Sequence, residues 1–172
     1  AADASFSGVA VGCGGLLAQS DDDELLGRLN DEACAMLLAE ASGAMWSIHD
    51  RTLGYFKTRS QFGATLGSFQ ALQHRLVDVY IKCQLAQSMA WDAVAAVAEA
   101  ATDRARRVAA AKAYVGPLGR AVGKEGIQLH GGIGMTSDIP IGSSFKRLSA
   151  IDLLHGDADY HLARFRVLSA AS

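Results

Sequence analysis

The stretch from residue 69 to residue 97 reads "FQALQHRLVDVYIKCQLAQSMAWDAVAAV". Phe69, Leu72, Leu76, Val79, Cys83, Ala86, Ala90, Ala93 and Val97 recur at alternating spacings of three and four, and keep that rhythm for four heptads. An α-helix turns once every ~3.6 residues, so this spacing lays the apolar side chains along one face. A strand would alternate by two. The stretch therefore predicts a long amphipathic helix. The same rhythm runs through Leu38, Ala41, Met45, Ile48, Thr52 and Tyr55 before it, and through Val108, Ala111, Val115, Leu118 and Val122 after it. A sustained period near ~3.5 favours helices lying nearly antiparallel, crossed at about 20°. Gly116 and Pro117 interrupt the third segment. A proline costs roughly 3 kcal/mol inside a helix, so that helix is expected to be kinked or split near residue 116. "TSDIP" carries helix-start chemistry and opens a fourth helix, expected over about residues 140 to 154. Gly156 breaks it, and "DADYHLARFRVLSA" predicts a short final helix with an acidic first turn. The expected fold is all-α, an up-and-down helical bundle.

The first twenty residues differ. "SFSGVAVGCGGLLAQS" has short apolar runs and clustered glycines without a helical period, and predicts one or two strand remnants and a turn. The acidic run from Asp21 to Glu24 follows as a connection into the first helix, where negative charge suits the helix dipole. The chain opens "AADAS" without a methionine or a signal-like pattern, and is expected to be processed or a piece of a longer protein. At 172 residues with 50% hydrophobic positions, it can build one domain with a real core. A formal charge of −2 and scattered basic residues exclude a nucleic-acid surface. The one basic cluster, Arg104, Arg106 and Arg107, is expected to be a solvated helix face. Alanine-heavy runs such as "AVAAVAEAA" at residues 93 to 101 are too short for a membrane span. Cys13, Cys34 and Cys83 are odd in number and widely spaced, which predicts three buried thiols in a reducing, cytoplasmic setting. The five histidines form no metal-ligand spacing.

Two stretches invite chemistry. In "YFKTRSQFGATLGSFQ", residues 55 to 70, a helix is expected to stop around Gly63 and restart by Ser68. Lys57 and Arg59 at its end either complement the helix dipole or form an anion site, where an arginine fork holds phosphate and Phe62 packs a flat ring. In "GKEGIQLHGGIGM", residues 123 to 135, the spacing is not that of a phosphate loop after a strand. Its first glycines fall inside a predicted helix at up to about 1 kcal/mol each, which close backbone approach would offset. A plain helix end with a glycine turn and a ligand-facing backbone both remain open on these residues.

"KTRSQFG", "FQALQHRLVD", "AKAYVGPLGR" and "IQLHGGIGMTSDIPIGSSFKR", taken in order, resemble the C-terminal helical domain of acyl-CoA dehydrogenases from about residue 25 to the end. Within that family, "FQALQHRLVD", "GIGMTSDIP" and "HGDADYH" look most like the small subunits of pimeloyl-CoA dehydrogenase-type enzymes, a branch in which two unlike subunits often work together. The resemblance implies two parts: a remnant of the family's middle β-domain with its connection at residues 1 to 24, and the helical bundle at residues 25 to 172. It implies FAD as cofactor, clasped across a subunit interface. Arg59 is then expected at the pyrophosphate, Phe62 beside the cofactor, and the motif glutamine of the next helix at Gln70. Gln128, Gly131 and Gly132 are expected against the adenosine half. The implied reaction is α,β-dehydrogenation of an acyl-CoA thioester. An electron-transfer flavoprotein is the implied acceptor, and a homo- or hetero-oligomer forms through the helical domain.

The family's base is a glutamate, and here the sequence departs from the pattern. At the head of the last helix that position is His155, followed by Gly156; in the first helix it is Ala33, with Glu32 beside it. Asp157 and Asp159 replace the threonine and polar amide that usually follow. Three readings stand: His155 as base, Glu32 as base after a register shift, or a subunit that relies on its partner. A non-catalytic helical assembly subunit is the alternative to an enzyme. A flavin-dependent relative with other chemistry, such as an acyl-CoA oxidase, is a third.

Overall fold

The computed structural model of the protein describes residues 5–15 and 23–170. Five α-helices dominate: α1 (Asp23–Thr58), α2 (Gln70–Ala98), α3 (Arg104–His130), α4 (Ile141–Leu153) and α5 (Ala158–Ala170). Two short strands, β1 (Ser60–Gln61) and β2 (Ala64–Thr65), pair antiparallel between α1 and α2. The expected helical bundle is present, and its centre is α3, which packs against each of the other four helices. The predicted stripes supply the core: Leu38, Met45 and Ile48 from α1, Val79, Cys83 and Ala86 from α2, and Val108, Val115 and Val122 from α3 are all buried.

Four expectations need correction. First, α3 is not split at Pro117 but runs continuously through it. Pro117 is exposed, while Val115, Gly116, Gly119 and Val122 on either side of it are buried. Packing on both flanks outweighs the one backbone hydrogen bond a proline forfeits. Second, residues 5 to 12 form no strand and Cys13–Gly15 is a single 3-10 turn. The rest of the expected β remnant lies outside the described residues. Third, α1 ends at Thr58, before Gly63, because the chain turns there into the β1–β2 hairpin. Fourth, the arginine cluster is not a solvated face. Arg104 pairs with Asp31 at 3.1 Å, Arg106 with Asp103 at 2.9 Å, and Arg107 with Asp92 at 2.5 Å. Three cations at a helix N-terminus oppose its dipole, and the carboxylates from α1, α2 and the preceding turn neutralise them. Cys34 and Cys83 are buried free thiols as expected; the side chain of Cys13 lies outside what is described, as do Asp21 and Asp22.

The glycines inside α3 have a packing reason. Gly116, Gly119, Gly123 and Gly126 recur at three and four, and form a groove that receives α4. A Cβ at Gly116 would collide with the Asp152 carboxylate. One at Gly123 would lie 2.8 Å from the Phe145 ring and 3.1 Å from its Cα, and one at Gly126 would lie 2.5 Å from Ile48. The close backbone approach predicted for these positions is therefore an approach of protein to protein. Gly123→Ala should destabilise the fold by up to about 2 kcal/mol in urea unfolding: overpacking costs about 1–3 kcal/mol, and helix propensity returns about 1. A more stable variant would contradict the groove.

Candidate functional site

The hairpin after α1 and the end of α3 meet in one place. Arg59 follows the last residue of α1; its N–H donates to the Tyr55 carbonyl and its own carbonyl accepts from the Leu66 N–H, each at 2.8 Å. Those bonds fix the backbone while the guanidinium stays exposed, with no ion pair among the described residues. Phe62 and Gly63 form the two-residue turn between Gln61 and Ala64, at φ 55° and 80°. Two successive positive φ values match the twist of a tight hairpin, where Asn-Gly is the usual pair. A phenylalanine there costs roughly 1–2 kcal/mol of backbone strain. It is also 91% exposed, in a T-shaped contact with Phe69 at 6.4 Å between ring centres. A strained, solvated aromatic ring at a loop tip is a feature of binding sites.

From the other side, α3 ends at His130. Gly131 takes φ 66° and ψ −141°, a region closed to residues with a Cβ, and its N–H closes the helix onto the Ile127 and Gln128 carbonyls. A Cβ at Gly131 or Gly132 would meet nothing within 4 Å. The glycines thus present bare backbone to open space. Gly134 differs: a Cβ there would lie 2.6 Å from the Ile127 carbonyl, so it serves the fold of the turn.

Arg59, Phe62, Gln128, Gly131 and Gly132 line one open cavity of about 540 Å³. Five of the six residues expected at a cofactor are thereby gathered. Gln70, the first residue of α2, is exposed and does not line it. Sequence reasoning missed Tyr55, which belongs to the α1 stripe, and His130, which hides inside the glycine motif; both line the cavity. Their rings stack at 4.7 Å and 27°. The i, i+4 spacing of Tyr55, in the last turn of α1, and Arg59, just past its end, was the available signal.

The second region is the turn between α4 and α5. His155 and Gly156 both have positive φ, 59° and 99°. Buried donors hold this turn. Lys112 Nζ donates a hydrogen bond to the Ile151 carbonyl at 2.6 Å, and His161 Nε2 donates to the His155 carbonyl at 2.9 Å. Burial pushes both the Lys112 ammonium and the His161 imidazole below their ordinary pKa values. Burial likewise pushes the Cys34 thiol up, which keeps it protonated. The His155 side chain is exposed, and its Nδ1 lies 2.8 Å from Asn30 Oδ1 on α1. The turn is therefore docked on α1 at the level of residues 30 to 33. Glu32 sits about 200° around the helix from Asn30, and Ala33 only about 60° away. Glu32 is exposed and turned away from His155. Asp157 caps α5, accepting from the Tyr160 N–H at 2.9 Å, and Asp159 lies in that helix's first turn. Beneath the turn region, Asp31 is fully buried between Arg164 at 2.7 Å and Arg104 at 3.1 Å. Among the described residues no group of three or more His, Cys, Asp or Glu side chains is placed to hold a metal, and no helix is long and apolar enough to cross a membrane.

Comparison with known proteins puts this geometry in context. The family profile for the acyl-CoA dehydrogenase C-terminal domain matches residues 25–166. The chain is 36% identical over 136 residues to the acyl-CoA dehydrogenase IpdE2 of Mycolicibacterium smegmatis, covering 79% of this chain and 42% of that protein. Among solved structures it superposes with TM-score 0.81 and 35% identity on the Tcur3481-Tcur3483 steroid ACAD G363A variant, covering 87% of this chain and 42% of that one. The butyryl-CoA dehydrogenase of Megasphaera elsdenii shares the fold, with TM-score 0.88 at 20% identity over 96% of this chain and 43% of that one. The chain thus spans about two fifths of the length of these relatives. It belongs to the acyl-CoA dehydrogenase family, of which it carries the C-terminal helical domain.

Proposed function

We propose that this chain is the FAD-clasping and assembly portion of an acyl-CoA dehydrogenase subunit. The observation that carries this reading is the single cavity shared by Arg59, Phe62, Gln128, Gly131 and Gly132. The residues present fit FAD: an unpaired guanidinium suits the pyrophosphate, the bare glycine backbone leaves room for the adenosine half, and the exposed Phe62 ring offers a flat apolar surface. When bound, FAD supplies the hydride acceptor for α,β-dehydrogenation of an acyl-CoA thioester. Arg59 neutralises charge, the Phe62 ring covers the ligand from the hairpin tip, and the α3 terminus sets the floor of the cavity. An electron-transfer flavoprotein is the acceptor that fits this chemistry. Its 35% identity to the Tcur3481-Tcur3483 steroid ACAD puts steroid-derived acyl-CoA thioesters among the substrates to try. The chain assembles as a homo- or hetero-oligomer: α2 carries Val77, Ile81 and Trp91, all about half exposed or more, on the face opposite its buried stripe. The segment up to residue 24 is read as the end of the preceding β-domain.

A second reading rests on its own observation. The docked turn brings His155 against α1, and neither position expected to carry the glutamate places one there: Ala33 occupies the facing helix position and Glu32 points elsewhere, while Asp157 caps α5 and Asp31 is tied to two arginines. The α-proton must pass to a base held at the α carbon. This arrangement favours a subunit whose partner supplies the carboxylate, with His155, hydrogen-bonded to Asn30, as the alternative base. The test is an anaerobic visible spectrum of the full-length flavoprotein with straight-chain and steroid-derived acyl-CoA thioesters, alone and with its partner subunit. Bleaching only with the partner is the expected result. Bleaching alone, lost in His155→Ala, would assign the base to His155; bleaching alone that survives His155→Ala and is lost in Glu32→Gln would assign it to Glu32.

A further inference from the structure

We propose that the outward face of α5 docks a second copy of this chain, laid antiparallel across it so that Arg166 of each copy pairs with Asp159 of the other. This adds a second contact surface to the α2 face and does not rest on the flavin reading. Asp159, Leu162, Ala163 and Arg166 are exposed residues of α5 at steps of three, one and three. At ~3.6 residues per turn they share one face. His161, which is fully buried, and Arg164, tied to Asp31 at 2.7 Å, point the opposite way into the bundle. Like α2, α5 packs on α3, so it is anchored along one side and presents the other.

The presented face holds an acid and a base, and neither Asp159 nor Arg166 has an ion pair among the described residues. Helix ion pairs form at spacings of three and four, and between these two charges Leu162 and Ala163 fill those positions. Asp159 and Arg166 stand about 10 Å apart along the axis at ~1.5 Å per residue, too far to pair within the helix. A twofold contact presents the same patch on both molecules, so each charge must find its opposite at the same distance across the axis. Asp159 and Arg166 meet that condition about a midpoint at Leu162 and Ala163. An antiparallel copy therefore forms the ion pair twice. Leu162, 41% exposed, and Ala163 meet their own copies at the axis, where the small Ala163 side chain lets the helices approach. Beside them an open groove of about 420 Å³, lined by Ala110, Ala113 and Tyr114 of α3 and Leu162 and Phe165 of α5, offers apolar surface to the copy. The charge pattern selects a second copy as the occupant, because this chain carries both halves of it.

Native mass spectrometry of the full-length protein, together with its partner subunit where it has one, counts the copies of this chain in each particle. Arg166→Glu sets like charges opposite each other twice, and should raise the dissociation constant of the contact by roughly a hundredfold. The number of copies per particle should then halve, with any partner subunit retained and the flavin content unchanged. Adding Asp159→Lys to Arg166→Glu reverses both charges, recreates the pairs between copies and should restore the wild-type count. High salt should favour the half-size particle in the wild type and in the double variant alike. A wild type with one copy per particle, or an unchanged count in Arg166→Glu, overturns the proposal. So does a halved count that the double variant does not restore. Loss of the partner subunit while the copies stay together would give the face to that subunit. A lowered melting temperature with an unchanged count would give it to another segment of the same polypeptide, and either result overturns the proposal too. Because none of these outcomes depends on bound flavin, a colourless protein would overturn the FAD reading and leave this test intact.

Discussion

Arg59→Ala should weaken FAD binding by roughly ten- to a hundredfold in fluorescence titration of the full-length apoprotein, with no change in the melting temperature of the flavin-free form. The first half follows from charge. A guanidinium bonding a pyrophosphate in a partly desolvated cavity contributes about 1.5–3 kcal/mol, and each ~1.4 kcal/mol is a factor of ten. The second half follows from the fold. Arg59 holds the hairpin through its backbone, donating to Tyr55 and accepting from Leu66, and both bonds survive truncation of the side chain. A cation that only complemented the dipole of α1 would behave in the opposite way: losing it would lower stability by a few tenths of a kcal/mol and leave flavin affinity alone. Arg59→Lys should recover part of the affinity, because an ammonium keeps the charge and loses the fork.

The largest stability effect belongs elsewhere. Asp31→Ala should cost about 3–5 kcal/mol, a fall in melting temperature of roughly 6–20 °C. Asp31 has 1% of its side chain exposed and accepts from two arginines that are themselves only 18% and 20% exposed. Removing it leaves two half-desolvated cations facing each other without a counter-charge. It also unties α1 from the start of α3 and from α5. Asp92→Ala is the control. Asp92 and Arg107 are 46% and 26% exposed, so water takes over their pairing and the expected loss is about 1 kcal/mol or less. Equal losses in the two variants would mean that burial does not decide the strength of these ion pairs.

Much of this structure was legible in the sequence, for identifiable reasons. The stripes of α1, α2 and α3 were readable because a period of three and four admits one geometry, and most of the residues in them are buried, with Tyr55, Phe69, Leu72, Leu118 and Val97 partly so. What failed was local chemistry overruled by packing. Pro117 reads as a break, but its exposed position lets the buried residues on either side carry α3 past it. The arginines from Arg104 to Arg107 read as a solvated face because their partners, Asp31 and Asp92, are far away in sequence. The glycine run divides in two: those inside α3 make room for α4 and α1, while a Cβ at Gly131 or Gly132 would meet no described atom within 4 Å. Only the three-dimensional arrangement separates these groups, since each is simply a glycine in a helical stretch. The cavity was legible as motifs but not as a set. Tyr55 and His130 escaped notice because an aromatic residue in a stripe and a histidine before a helix end both look like packing.

The most direct test of the central claim is the flavin content of the purified full-length protein. Its visible spectrum is recorded, and the chromophore released on denaturation is identified. Protein-bound flavin that is released as FAD, near one per cavity in the assembled oligomer, is the expected result. A colourless protein that takes up no FAD on titration, with Arg59, Phe62, Gly131 and Gly132 in place, would contradict it and reduce the "QLHGGIGM" stretch to the end of a helix.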